Sequence, residues 1–374
     1  VTPSRPAIGA ARRWVVKIGS ALLTDEGKLL DRGVIDRLVA DLALLRQRGC
    51  EVVLVSSGAV AAGIVRLGMT ARPHDLHTLQ AAAAVGQSAL VRAYEDALAP
   101  HDILSAQILL SHADVRARDR YLNARGTLTT LLSMGVLPIV NENDTVVTDE
   151  IRLGDNDTLA ALVANLIDAD ALLILTDQEG LFDRNPREHR DAQLITEADV
   201  SDTALDAMVG GSGAFGRGGM ITKLRAARLA ARSGAMTVIA QGRIAQVVSA
   251  VSRGDAIGTL LSTDRRPQSA RKQWLASLMH AKGALVLDAG AVVGVTQMRR
   301  SLLPIGVISV QGEFERGDLV RCVDENGHEI ARGLVNYRAA EARLLTRVTS
   351  TEIEARLGYG GDVEMIHRDN LVQV

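Results

Sequence analysis

At 374 residues the chain exceeds what one hydrophobic core usually serves, so two domains are expected. Hydrophobic residues make up 47% and aromatics only 2%, which suits helices packed on an aliphatic sheet and excludes rows of aromatic platforms for stacked bases. A formal net charge of -2 excludes a global attraction to nucleic acid or anionic membranes, so any anion site must be local.

Short aliphatic runs alternate with longer helical patterns along most of the chain. "RWVVKIG" at 13–19 reads as a strand, 35–48 as a helix, "EVVLVSSG" at 51–58 as a strand and 76–99 as a helix. "ILSAQILL" at 103–110 is the next strand, 125–134 a helix and "VLPIV" at 136–140 a strand. A helix over 158–167, the strand "ALLILT" at 171–176, a helix over 220–233 and the strand "MTVIA" at 236–240 follow, and this first domain ends near Leu261. Such alternation predicts a parallel sheet covered by helices on both faces. Beyond a joint at 262–282, carrying Arg265, Arg266, Arg271 and Lys272, the strands become short and Gly-punctuated, as in "GALVLDAGAVVGV" and "GDVEMIHRDNLVQV". A small β-rich module is expected there.

Cys50 and Cys322 lie far apart and fit neither a disulfide framework nor a zinc knuckle, which points to a reducing cytoplasm. The first residues, "VTPSRPAIGAARRWVV", contain no sufficient apolar run ahead of a cleavage site, and no apolar run reaches the roughly 18 residues a membrane span needs. A soluble, unprocessed protein is expected, with no membrane partner.

In an open α/β sheet, ligands bind beyond the carboxyl ends of the strands. Four polar strand ends stand out. Lys17 interrupts an aliphatic strand ahead of Gly19; it is either a site residue or a lysine whose head snorkels out of the sheet edge. Ser56-Ser57-Gly58-Ala59 leaves backbone N–H groups open at a helix start, which is an anion corner or an ordinary cap. "VNENDTVVTDEIRLGDNDTLAA" at 140–161 packs six carboxylates, three asparagines and one base, Arg152, into the exit of a buried strand. A mere turn needs only a few Gly, Asn or Asp residues, so a ligand is expected. Thr176-Asp177 follows the strand at 171–176, where Asp177 could simply cap the next segment.

The loop "GGSGAFGRGGMITKLRAA" at 210–227 matches G-x-G-x-x-G through Gly211, Gly213 and Gly216. It follows a helical pattern and not a strand, so the dinucleotide fingerprint fails, and no Gly-Lys-Ser/Thr makes it a Walker A loop. What survives is a set of N–H groups leading into a helix with Lys223, which can cradle phosphate or be a plain surface loop. His74 and His77 stand in a polar loop and read as solvated residues, not metal ligands. Two lysines, a glycine loop and several carboxylates suit phosphoryl transfer, where catalysis is mostly positioning plus neutralisation of phosphate charge.

Ten ordered segments then carry a resemblance: "VVKIGS", "SSGAVAAG", "AAVGQSAL", "YLNARGTL", "PIVNENDTV", "LGDNDTLAA", "LLILTDQEGLF", "GRGGMITK", "SLLPIGV" and "FERGDLV". Over nearly its whole length the chain resembles the bacterial glutamate 5-kinases of the amino acid kinase family, fused to a carboxyl-terminal PUA module. The resemblance implies an α/β fold, a three-layer αβα sandwich with a mainly parallel sheet over 1–262, a linker at 263–280 and a small β-rich PUA-like domain at 281–374. It implies transfer of the γ-phosphoryl of ATP, with Mg2+ as Mg-ATP, to the side-chain carboxylate of L-glutamate, the first step of proline biosynthesis. Lys17 and Lys223 are then expected to flank the phosphoryl group, with Asp157 holding both lysines. Thr176, Asp177, Arg217, Gly218, Gly219, Met220, Ile221, Thr222 and Lys223, with Lys17, are expected to hold the nucleotide, and Ser57, Gly58, Asp144, Asp155 and Asn156 the glutamate; no protein metal site is expected.

Arg217 and Ile221 depart from the small residue and the Ser or Thr that the family's loop usually carries. The resemblance also implies a homo-oligomer, proline as a feedback inhibitor and handover of the labile acyl phosphate to glutamate-5-semialdehyde dehydrogenase. Residues 281–374 hold 11 Lys plus Arg against 13 Asp plus Glu, a poor footprint for RNA, so regulation or assembly is the expected role. The competing reading, an RNA-binding or RNA-modifying factor with a degenerate kinase half, predicts loss of the lysines and aspartates that are intact here.

Overall fold

A computed structural model describes residues 5–25, 29–147, 156–209, 219–263 and 281–373. It divides into two compact units, Val1–Val115 with Arg125–Ser269 and Arg116–Ala124 with Ala270–Val374.

The strands in chain order are β1 (Arg13–Ile18), β2 (Thr24–Asp25), β3 (Leu29–Leu30), β4 (Glu51–Ser56), β5 (Ser105–Leu110), β6 (Leu137–Glu142), β7 (Ala171–Thr176), β8 (Glu197–Asp199), β9 (Met236–Gln241), β10 (Thr259–Ser262), β11 (Gly283–Leu287), β12 (Val307–Gly312), β13 (Leu319–Val323), β14 (Glu329–Leu334) and β15 (Leu371–Gln373). In the first unit eight of them form one sheet, in the order β5-β6-β4-β1-β7-β9-β10-β8. Every pairing in it is parallel except β9 with β10. The expected mainly parallel sheet is therefore present. β8 and β10 were not expected: they are three and four residues long and close the sheet edge.

β6 and β7 are buried at all six positions, which explains the aliphatic run Leu172–Leu175 in β7 and leaves Asn141 and Glu142 of β6 as buried polar residues. Along β1, Trp14, Val16 and Ile18 join a core with Ile35, Leu38 and Leu42 of the Arg32–Gln47 helix and Leu90 and Tyr94 of the Leu76–Leu98 helix. Alternation then turns Val15 and Lys17 toward the other face, against which the Asn156–Leu166 helix packs. The predicted helix at 125–134 begins earlier and spans Arg118–Ser133. Arg125 on it is buried, donating to the Leu166 carbonyl at 2.6 Å and pairing with Asp168 at 2.8 Å, so it caps the carboxyl end of the Asn156–Leu166 helix.

Two glycines from the quoted segments set a close helix crossing. A Cβ on Gly63, in the Ala59–Arg66 helix, would lie 1.7 Å from the Ala82 carbonyl oxygen, and one on Gly86 would lie 1.8 Å from the Ala59 oxygen. Backbone meets backbone here, which only glycine permits.

The second unit contains a five-stranded sheet, β12-β11-β13-β14-β15, antiparallel except for β11 with β13. Leu285, Val320, Cys322 and Tyr337 are buried in its own core. The β-rich texture expected after the joint is thus realised.

Candidate active site

The side of β1 that carries Lys17 is the side that the Asn156–Leu166 helix covers, and that helix packs in turn on Met220–Ala230. Asp157 stands in the first turn of the former and Lys223 at the fourth position of the latter. The three side chains converge. Lys17 Nζ lies 2.6 Å from Asp157 Oδ1, and Lys223 Nζ lies 3.0 Å from Oδ2, with side-chain exposures of 8%, 5% and 2% for Lys17, Lys223 and Asp157. Thr222 also places its hydroxyl 3.3 Å from Oδ2 and 2.7 Å from the Gly219 carbonyl.

Burial by itself would raise the pKa of Asp157; the ammonium groups of Lys17 and then Lys223 overrule it and hold the carboxyl below its ordinary value. Two cations on one anion give the trio more positive than negative charge. In a site largely shut from water, such an arrangement favours an anionic ligand and charge that develops during a reaction.

Asn156, beside Asp157, serves a different group of residues. Its amide nitrogen lies 2.9 Å from the Ser56 carbonyl, 2.8 Å from Ser57 Oγ and 3.0 Å from Asn141 Oδ1. Gly58 follows with φ at 101°, a left-handed conformation, and opens the Ala59–Arg66 helix without a side-chain cap. Among the described residues no side-chain cap closes this helix start, the stretch read from the sequence as an anion corner or an ordinary cap.

Asp144 lies just past β6, half-buried, and burial pushes its carboxyl up to about 6 although Arg72 pulls the other way. Gln80 holds the far side of this stretch by donating to the Val147 carbonyl at 3.0 Å. Glu142, at the end of β6, lies 3.8 Å from His112 in a largely buried pair.

Toward the other side, Thr176 ends β7 and donates to Asp177 Oδ1 at 3.1 Å, while Asp177 is exposed. Gly219 opens the eleven-residue helix Met220–Ala230 without a side-chain cap, and Met220, Ile221 and Thr222 are half-buried. The Thr222 N–H donates to the Gly219 carbonyl at 3.1 Å, and those of Met220 and Ile221 are placed as donors to phosphate.

The structure thus brings Lys17, Asp157, Thr222 and Lys223 together, and separately Ser57 with Asn156; Asp155, Arg217 and Gly218 lie outside the described residues. Sequence reasoning missed Asn141, whose signal was an amide just after the aliphatic part of β6, and it missed that Thr222 faces Asp157. Among the described residues, no group of three or more His, Cys, Asp or Glu is placed to hold a metal ion.

The model of the amino acid kinase family matches residues 12–240, and that of the PUA domain matches residues 283–357. Glutamate 5-kinase of Pseudomonas paraeruginosa (strain DSM 24068 / PA7) is 59% identical over 371 residues, 99% of this chain and 100% of that protein. The glutamate 5-kinases of Pseudomonas entomophila (strain L48) and Pseudomonas syringae pv. syringae (strain B728a) are each 58% identical over the same shares. The chain belongs to the glutamate 5-kinases of the amino acid kinase family. All of the described site residues fall within the kinase match, so the chain carries its buried trio in the family's own segment. Among solved structures, the carbamate kinase from Giardia lamblia bound to AMP-PNP is 18% identical, covering 68% of this chain and 100% of that one with a TM-score of 0.48, a superposition too loose to add to the assignment. No helix among the described residues is long and apolar enough to cross a membrane.

Proposed function

We propose that this chain transfers the γ-phosphoryl group of ATP to the side-chain carboxylate of L-glutamate, giving L-glutamyl 5-phosphate and ADP, the first step of proline biosynthesis. The observation that carries it is the buried Lys17–Asp157–Lys223 trio at the strand ends. A carboxylate oxygen forms the new P–O bond as the bond to the β,γ-bridging oxygen breaks, and ADP leaves with that electron pair. Little covalent work falls to the protein, so its contribution is positioning and charge neutralisation. Lys17 and Lys223 flank the phosphoryl group, and Asp157 is a positioning residue that fixes both ammonium groups.

Thr176, Asp177 and the loop of Arg217, Gly218, Gly219, Met220, Ile221 and Thr222 hold the nucleotide, aided by the open N–H groups at the helix start. Glutamate binds at Ser57, Gly58, Asp144, Asp155 and Asn156, where Asp144 with Asp155 and the Asn156 amide meets the α-ammonium group. Mg2+ arrives on ATP: both oxygens of Asp157 are taken by ammonium groups, and this hard cation is usually held by substrate phosphates with few protein ligands. It neutralises phosphate charge.

We further infer a kinase domain at 1–262, a linker at 263–280 and a PUA-like domain at 281–374 with a regulatory or assembly role and no RNA ligand, given its excess of acids. The protein works in the cytoplasm as a homo-oligomer, with proline as a feedback inhibitor and glutamate-5-semialdehyde dehydrogenase as the recipient of its labile product.

The test is ADP release by the full chain with glutamate and with N-acetylglutamate. Glutamate is expected to support turnover and N-acetylglutamate to fail, because its amide offers no charge to the desolvated carboxylate, a loss of about 2–5 kcal/mol. Equal use of both would remove the ammonium role of Asp144, and no release with glutamate would overturn the function.

A further inference from the structure

The Ala-rich helix Leu76–Leu98 carries polar side chains at Gln80, Gln87 and Tyr94. Steps of seven residues drift only about 20° around a helix, so the three share one face. Each is bonded to a different piece of the amino-acid end of the site. Gln80 donates to the carbonyl of Val147 at 3.0 Å, Gln87 Oε1 accepts from Asn141 Nδ2 at 2.7 Å, and Tyr94 OH lies 2.8 Å from Ser56 Oγ. Ser56 Oγ already donates to the Ser57 carbonyl at 3.1 Å, so Tyr94 is the donor of that last pair.

The middle contact differs from the others because its polarity is forced. The backbone N–H of Glu142 donates to Asn141 Oδ1 at 2.9 Å, so the Asn141 carboxamide can turn only its nitrogen toward Gln87. At the other end the Ser56 carbonyl, an acceptor only, fixes the nitrogen of Asn156. Gln87 must therefore offer its oxygen, and among the described residues its buried Nε2 has no hydrogen-bond partner. A buried unsatisfied donor costs about 1–3 kcal/mol. Methionine or leucine would fill the same space but would take this acceptor from the buried Asn141 nitrogen, so packing alone does not account for a carboxamide here. What the carboxamide does supply is the acceptor that orients Asn141 and, through it, Asn156. Its own nitrogen is shut from solvent, so it does not reach for a ligand.

We propose that Gln87 is a positioning residue of the amino-acid site, setting the orientation of the Asn141 and Asn156 carboxamides and so the affinity for the acceptor substrate. This rests on the glutamate kinase reading above. Among the described residues, the bonds given above run from the three helix residues to the amino-acid end and none to the nucleotide end, so the two substrates are affected unequally.

The test is steady-state kinetics of the full chain carrying Gln87→Met or Gln87→Glu, with a thermal melt of each. Gln87→Met removes the acceptor at similar length and is expected to raise the KM for glutamate about tenfold, the worth of one well-placed hydrogen bond, while the KM for ATP stays within about twofold. Gln87→Glu keeps an oxygen acceptor, whether neutral or ionised, and is expected to recover most of the glutamate KM even if its melting temperature falls. A glutamate KM unchanged in Gln87→Met, or glutamate and ATP constants rising together, would overturn the proposal. A wild type without glutamate-dependent ADP release overturns the parent reading and this one with it, and differs visibly from an active wild type whose variant is unaltered.

Discussion

Lys17 and Lys223 bind opposite oxygens of a single buried carboxylate, Asp157, at 2.6 and 3.0 Å. The lysines and the aspartate therefore have separable roles. Lys223→Ala removes a preorganised charge and is expected to lower kcat by roughly 10² to 10³ while moving the KM for glutamate little. Asp157→Asn instead leaves two buried ammonium groups without their anion, and breaking such a pair costs about 3–5 kcal/mol of stability. Urea denaturation reads the second effect and ADP release the first. The pH dependence has a definite sign: because the folded-state pKa of Asp157 is lowered, its contribution is present above the unfolded value near ~3.9 and is lost as pH falls through the folded one. The stability gap between wild type and Asp157→Asn is expected to close in that acidic window. A variant with wild-type kcat at Lys223 would exclude that lysine from the chemistry.

The carboxyl of Asp144 is pushed the other way, up to about 6 by burial against the pull of Arg72. Protonation at the lower end of the physiological range would discharge the group assigned to the α-ammonium. The KM for glutamate is expected to rise as pH falls below about 6 in the wild type. Asp144→Asn is expected to have a high glutamate KM with no such break, and an ATP KM close to wild type. The linkage in the unliganded protein follows from the same shift. The folded state holds this proton between the unfolded value and about 6, so the contribution of Asp144 to stability is fully present below the unfolded pKa and is lost as pH rises through the folded one. A break that persists in Asp144→Asn would assign it to another group.

Glycines in helices give opposite outcomes according to what surrounds them. At Gly63 an added Cβ would stand 1.7 Å from the Ala82 carbonyl oxygen, so Gly63→Ala forces the two helices apart and is expected to cost about 1–3 kcal/mol or more. Gly126, on the Arg118–Ser133 helix, has nothing within 4 Å of the same added atom. Gly126→Ala is expected to gain about 0.5–1 kcal/mol from helix propensity alone. Thermal melts of the two variants should move in opposite directions. Equal melting temperatures would refute the close crossing.

The aliphatic strands and the helices between them were legible in the sequence because burial on both faces of a parallel sheet favours runs of Val, Leu and Ile, as Leu172, Leu173, Ile174 and Leu175 in β7 show. The lysine inside "RWVVKIG" was visible as an exception to that rule. Its partner was not legible from the residues alone: Asp157 is one of six carboxylates within 140–161, and nothing local distinguishes it from Asp149 or Glu150. The tertiary structure decided it, because strand alternation turns Lys17 to the face covered by the two helices that carry Asp157 and Lys223. β8 and β10 escaped for a related reason, since three- and four-residue strands with Glu, Asp, Thr and Ser contain too little apolar pattern to register, and only their neighbours make them strands. The same holds for Gln80, Gln87 and Tyr94. Their spacing of seven is written in the sequence, but a polar side chain on an Ala-rich helix is equally consistent with a wet face. Only the fold supplies Val147, Asn141 and Ser56 as partners. A sequence specifies which groups a chain owns and the period at which they recur. Which of them meet across a sheet depends on packing between segments far apart in the chain, and hydrogen bonds and ion pairs form only at the distances that packing sets.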